Sequence, residues 1–171
     1  IDDENAVPPE IVAACKAMGL YGFAIPEEYG GLGMNLTEEA QLAFELGWTT
    51  PALRSLFGTN NGIAGQVLLQ GGTDEQRKSW LPRLASGEVT ASFGLTEADA
   101  GSDPSTLATR ARRDGSDWVL DGTKRYITNA PVADVIMVFA RTNREAPGNR
   151  GISAFLVPAG TPGLSIGPKD R

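Results

Sequence analysis

Histidine is missing from all 171 residues, and cysteine occurs once. A chain without histidine cannot assemble histidine-based triads or the common histidine-containing zinc sites, which excludes much of ordinary hydrolase chemistry. The single Cys15 excludes an intrachain disulfide framework. Set in the helical run Ile11-Val12-Ala13-Ala14-Cys15, it reads as a small buried apolar residue and not as a nucleophile. Long apolar runs are also lacking, and the acidic start Ile1-Asp2-Asp3-Glu4 is the opposite of a basic signal-peptide start. A soluble, non-exported, cytoplasmic protein without a membrane span is the expectation. Positive charge is in deficit as well. The formal net charge of -6 comes from dispersed acids, which disfavours a nucleic-acid partner or an anionic membrane surface. A bound anionic cofactor would need local donors.

What is present is the apolar content of a folded protein, 41%, enough for one good core or for two small lobes. The first half is punctuated like a helical bundle. Pro8 and Pro9 fit a helix start and Gly19 its C-terminal cap. Pro26-Glu27-Glu28-Tyr29-Gly30-Gly31-Leu32-Gly33 is a glycine-rich loop. Thr37 fits the cap of a second helix, with Glu38 and Glu39 in its first turn and Leu42, Ala43 and Leu46 as its apolar stripe. Helical spacing returns from Pro51 to Gln70, where Gly58, Gly62 and Gly65 suggest close packing or a nearby ligand. Thr73 with Gln76 is a capping-box signature for a further helix, which Pro82 should kink or end.

After Gly87 the period shifts toward strands. The candidates are Val89–Leu95, Thr106–Arg112, Trp118–Leu120, Arg125–Thr128, Val135–Arg141 and Ile152–Val157, with Asp114-Gly115 and Asp121-Gly122 as turns. Helices first and strands second, without alternation, predict an α+β chain: an N-terminal α-helical bundle region over residues 1–88 and a mainly antiparallel β-domain over residues 89–171. Both ends read as cut, the first inside an acidic lead-in to a helix and the last, Pro168-Lys169-Asp170-Arg171, inside a strand-rich region. The tryptophans Trp48, Trp80 and Trp118 read as core or interface residues.

Two segments carry chemistry. In Phe93-Gly94-Leu95-Thr96-Glu97-Ala98-Asp99-Ala100-Gly101-Ser102-Asp103, a strand would deliver the Thr96 hydroxyl, and the Gly101-Ser102 turn has amides able to converge on phosphate. Glu97, Asp99 and Asp103 would repel a phosphate unless they point away. In Tyr126-Ile127-Thr128-Asn129, strand alternation would place the Tyr126 ring and the Thr128 hydroxyl on one face, suiting a flat heteroaromatic ligand. Taken separately, the first piece also reads as an ordinary acidic turn and the second as a half-buried sheet position.

Five pieces occur in one order: Pro26-Glu27-Glu28-Tyr29-Gly30-Gly31 with Gly33; Leu95-Thr96-Glu97 and Ala100-Gly101-Ser102-Asp103; Asp121-Gly122 with Lys124; Tyr126-Ile127-Thr128-Asn129; and Thr161-Pro162-Gly163-Leu164. In that order the chain resembles the acyl-CoA dehydrogenases over essentially its whole length. The resemblance implies the fold of that family's N-terminal helical region and middle β-domain, without its C-terminal helical domain. It also implies FAD as cofactor. Phe93, Leu95 and Thr96 would lie along the isoalloxazine ring, Gly101 and Ser102 at the pyrophosphate, and Tyr126, Ile127 and Thr128 against the flavin, with Thr128 near its reactive nitrogen. Ser102 would also approach the CoA chain of the substrate. Thr106 departs from the small residue usual in the family's signature, and Tyr126 from its tryptophan.

By the same resemblance, the complete protein would remove the α-proton of an acyl-CoA thioester with a carboxylate from the missing domain and pass the β-hydrogen as hydride to the flavin. It would deliver electrons to an electron-transferring flavoprotein. Fatty acid metabolism, a homo-oligomer (tetramer or dimer), and the mitochondrial matrix in a eukaryote are implied in the same way. No catalytic residue is assigned within this chain. Glu97 and Asp99 could form an acid–base pair by type, but nothing in the resemblance assigns them one. The chain alone would be inactive and hold FAD weakly, since relatives complete the site with other residues. Two rivals remain: a same-fold flavin oxidase or monooxygenase of acyl-CoA oxidase or nitroalkane oxidase type, and a non-catalytic lobe without flavin.

Overall fold

The computed structural model describes residues 7–168. The acidic lead-in at residues 1–4 and the final Lys169-Asp170-Arg171 lie outside the described residues. The chain divides into two compact units between Ala91 and Ser92. Helices fill the first and strands the second, the α+β order expected.

In the first unit, α1 (Pro9–Ala17) opens with proline at its first position, where the absent N–H costs nothing, and is followed by Gly19 at φ 72°. Cys15 on α1 is buried, and burial raises its thiol pKa. The cap of α2 (Leu36–Leu46) is Asn35 and not Thr37. The Asn35 side chain accepts from the amides of Thr37 and Glu38, while Glu38 reaches back to the Asn35 amide at 2.8 Å. Asn35 with Glu38 three positions on is the same box as Thr73 with Gln76, two residues earlier than threonine suggested. Leu42 and Leu46 pack on the cluster formed by Tyr21, Phe23 and Phe57, whereas Ala43 faces outward.

From Pro51 the helix runs as α3 (Pro51–Gly58), widens into π turns over Thr59–Gly65, and returns as α4 (Gln66–Gly71). Such wide turns are rare and occur mostly as short insertions within α-helices. Asn60 and Asn61 are both fully buried. Asn60 donates to the carbonyls of Leu84 (3.1 Å) and Val89 (2.8 Å) and accepts from the Ala91 amide (2.8 Å). Asn61 donates to Leu20 and Phe57 and accepts from Ala24. The glycines of this stretch therefore sit beside two amides that hold the unit together. The capping box of α5 (Asp74–Ala85) forms as expected, but Pro82 does not end the helix, which continues three residues further. Trp48 is 90% exposed on the surface of this unit and is not a core residue.

The strands are β1 (Ala91–Gly94), β2 (Arg110–Asp114), β3 (Asp117–Asp121), β4 (Val135–Arg141) and β5 (Ile152–Pro158). They form a sheet in the order β1-β4-β2-β3, with β5 also on β4. Two antiparallel pairs dominate, β2 with β3 around Gly115 (φ 62°) and β4 with β5 over seven residue pairs. β2 meets β4 in parallel at Arg110 and Arg141. The run Val135-Ile136-Met137 is buried, as a strand paired in the middle of a sheet requires.

Two strand expectations and one turn expectation differ from the fold. Residues 106–109 are not strand: Pro104–Thr106 forms one tight turn capped by Asp103, and β2 starts only at Arg110. Asp121-Gly122 does not turn back as a hairpin; Gly122 presses against Thr109, and a Cβ there would lie 2.7 Å from the Thr109 Cα. Arg125–Thr128 is not a strand at all. Tyr126 has φ 58° and Asn129 φ 64°, in the left-handed region that breaks a ladder and that a bulky ring rarely enters. The alternation argument for Tyr126 and Thr128 fails with it. Trp118 is 38% exposed, edge-on to Phe155 at 5.5 Å and beneath the Arg113 guanidinium at 4.8 Å.

Candidate functional site

The two chemistry-bearing segments lie side by side in the second unit, joined by backbone carbonyls that accept donors from the other segment. The Arg125 amide donates to the Thr96 carbonyl at 2.9 Å. The Lys124 ammonium donates to the Leu95 carbonyl at 3.0 Å, and the Ser92 hydroxyl to the Thr128 carbonyl at 2.8 Å.

Lys124 also bonds Glu97 Oε1 at 2.7 Å, with 11% and 9% of the two side chains exposed. The Glu97 carboxylate accepts three more bonds, from the amides of Ala108 and Thr109 and from the Thr109 hydroxyl. Burial works against its charge, but the donors from Lys124, Thr109 and Ala108 outweigh burial and hold its pKa at about 2. Lys124 shifts downward too, because burial lowers its pKa more than the Glu97 contact raises it. The four donors around the carboxylate decide the matter: Glu97 is an ionised structural anchor and no proton shuttle. Sequence reading saw Glu97 as a turn acid and missed the pairing. Its partner is 27 positions away, beyond any local spacing signal.

The acids that threatened an anion near Gly101 and Ser102 are thus partly engaged. Glu97 is neutralised by Lys124, and Asp103 accepts from the Ser105 amide, which lowers its pKa. Gly101 and Ser102 themselves sit exposed in a bend, near the sharp turn closed by the Glu97 amide on the Ala100 carbonyl at 2.8 Å.

Tyr126, Ile127 and Thr128 line a cleft of about 1300 Å³ whose other walls include Trp118, Phe155 and the Thr161-Pro162-Gly163-Leu164 segment. Tyr126 is 67% exposed, its ring under the Arg125 guanidinium at 4.8 Å. Phe93, Leu95, Thr96, Gly101 and Ser102 do not line that cleft. Phe93 packs on Phe139 at 4.9 Å between ring centres. A separate hollow of about 330 Å³ opens beside Glu97–Ala100 and Thr109. The structure therefore brings the two segments together through their backbones, and only the second faces the large cleft. A largely apolar cleft lined by Tyr126, Ile127 and Thr128 fits a flat heteroaromatic ring, and an exposed Gly-Ser bend fits a diphosphate. Among the described residues, no group of three or more potential metal-ligating side chains occurs, and no helix is long and apolar enough to cross a membrane.

Comparison with known proteins gives a consistent result. Residues 1–88 match the family description "Acyl-CoA dehydrogenase, N-terminal domain" and residues 92–171 match "Acyl-CoA dehydrogenase, middle domain". The chain is 40% identical to a (2S)-methylsuccinyl-CoA dehydrogenase of Cereibacter sphaeroides, over 96% of this chain and 31% of that protein. It is 38% identical to the mitochondrial short-chain specific acyl-CoA dehydrogenase of Bos taurus, over 99% of this chain and 41% of the relative. A glutaryl-CoA dehydrogenase from Mycobacterium smegmatis, solved in complex with FADH2, superposes with a TM-score of 0.87 at 39% identity, covering 96% of this chain and 41% of that one. The chain thus spans well under half the length of these relatives.

Proposed function

The chain belongs to the acyl-CoA dehydrogenase family, and on that premise we propose that it supplies part of the FAD and substrate site of a protein that dehydrogenates an acyl-CoA thioester between its α and β carbons. In this reading residues 1–88 are the N-terminal helical domain and residues 89–171 the middle β-domain. The observation that carries it is the placing of Tyr126, Ile127 and Thr128 in one wide apolar cleft while their flanks are bonded to Ser92, Leu95 and Thr96.

Tyr126 and Ile127 would hold the isoalloxazine ring by apolar contact, and the Thr128 hydroxyl would give it a directional hydrogen bond. Phe93, Leu95 and Thr96 do not line the cleft; in this reading they would bound the ring where it extends beyond the cleft walls, and the Gly101 and Ser102 bend would take the diphosphate. Ser102 would also adjoin the CoA chain. FAD, when bound, supplies the two-electron acceptor for the β-hydrogen. This chain's residues orient and desolvate; the base for the α-proton is assigned to a carboxylate outside it. An electron-transferring flavoprotein as acceptor, a homo-oligomeric assembly, and a cytoplasmic or, in a eukaryote, matrix location complete the proposal.

The test uses the full-length protein, purified and reconstituted with FAD, with acyl-CoAs as substrates and an electron-transferring flavoprotein as acceptor. Flavin bleaching on acyl-CoA addition and reduction of the acceptor are expected. A protein that stays colourless would overturn the reading. Hydrogen peroxide release with oxygen as acceptor would assign the same site to an oxidase.

A further inference from the structure

We propose that Lys124 and Ser92 are positioning residues that pin the two ends of a strained turn and so hold Tyr126 and Thr128 in the cleft; the inference rests on the FAD reading above. Tyr126 occupies the left-handed region at φ 58°, a conformation that a bulky aromatic residue keeps only where surrounding contacts impose it. Burial does not impose it, for Tyr126 is 67% exposed. The Arg125 guanidinium over its ring comes from the adjacent residue, and the constraint from elsewhere in the fold is on the backbone to either side.

Before the turn, Lys124 spans the Leu95 carbonyl (3.0 Å) and Glu97 (2.7 Å), and the Arg125 amide bonds the Thr96 carbonyl (2.9 Å). Glu97 is itself gripped by Ala108 and Thr109, so Lys124 is tied to a fixed base. After the turn, the fully buried Ser92 bonds the Thr128 carbonyl at 2.8 Å. Between these anchors the chain has no lateral pairing in the sheet. Release of either anchor frees the turn to relax toward an ordinary conformation. The Tyr126 ring and the Thr128 hydroxyl then leave their positions; Lys124 itself lines the cleft and Ser92 does not, so Ser92→Ala is the variant that reads positioning without a direct contact.

In the full-length protein with FAD, Lys124→Met removes both side-chain bonds and keeps the aliphatic stem. The FAD dissociation constant should rise about tenfold, the weight of one to two hydrogen bonds, with displaced flavin absorption and circular-dichroism bands and unfolding still cooperative. Lys124→Arg, which can reach the same acceptors, should recover the bands in part. Ser92→Ala deletes one hydroxyl and should raise the constant about threefold with the same displacement; it carries the test if Lys124→Met does not fold. Wild-type affinity and wild-type flavin bands in whichever of these variants folds would overturn the proposal. A wild-type protein that binds no FAD would refute the parent reading and this one together, whereas wild-type binding with indifferent variants refutes this one alone.

Discussion

Glu97 Oε1 and Lys124 Nζ meet at 2.7 Å with about nine-tenths of each side chain removed from solvent. The pair joins segments 27 positions apart, and the carboxylate's remaining lone pairs are filled by Ala108 and Thr109. Breaking such a pair from one side strands a buried charge, which costs more than the intact pair contributes.

Acid should therefore withdraw the stabilisation that this contact supplies. The Glu97 pKa is held at about 2, against an ordinary value of 4.5, so across that window the unfolded chain binds more protons than the folded one. The stabilisation is complete above pH 4.5 and is lost as pH falls toward 2, a loss of about 3 kcal/mol. Urea unfolding at pH 5 and pH 3 should show the fall, and Glu97→Gln should flatten it. An equal slope in both proteins would remove Glu97 as its source.

Asn60→Ala should destabilise the first unit by about 2–4 kcal/mol, because it leaves the Leu84 and Val89 carbonyls and the Ala91 amide without their partner in a buried place. Chemical denaturation measures it. A loss below 1 kcal/mol, on the order of a surface change, would contradict it.

Gly22→Ala tests close packing. A Cβ at Gly22 would lie 2.7 Å from both Cα and Cβ of Ala85, so the two segments must separate, at roughly 1–3 kcal/mol. A thermal melting temperature equal to wild type would mean that the contact is looser than described.

Thr128→Val in the full-length protein should weaken FAD binding by up to about tenfold, the worth of one hydrogen bond. Flavin titration followed by absorbance reads the change. Unaltered affinity and spectrum would take the Thr128 hydroxyl out of the site while leaving its carbonyl bond to Ser92 untouched.

Local signals were legible where the contacts they report are local. The Thr73 and Gln76 box joins residues three positions apart, and the strand spans at 135–141 and 152–157 rest on β-branched and aromatic runs; all appear in the fold. Asn35 is harder to read as the cap because Thr37 offers a competing one two residues later. Tyr126-Ile127-Thr128 misled because its residue types favour strands, while its conformation is set by anchors from Ser92, Leu95 and Thr96. Apart from the Asn61 bond to Phe57, the Asn60 and Asn61 amides, like the Glu97 and Lys124 pair, answer to groups 24 to 41 positions distant. No periodicity encodes such partners.

The π-turn stretch Thr59–Gly65 places a constraint on chain length itself. A π turn holds one more residue than an α turn, and here the surplus is what lets two neighbouring amides reach inward in different directions. Deleting a single residue from this stretch would let the helix wind at its ordinary pitch with every hydrophobic residue retained. One asparagine would then rotate away from its carbonyls, so the segment should tolerate many substitutions better than it tolerates being shortened by one.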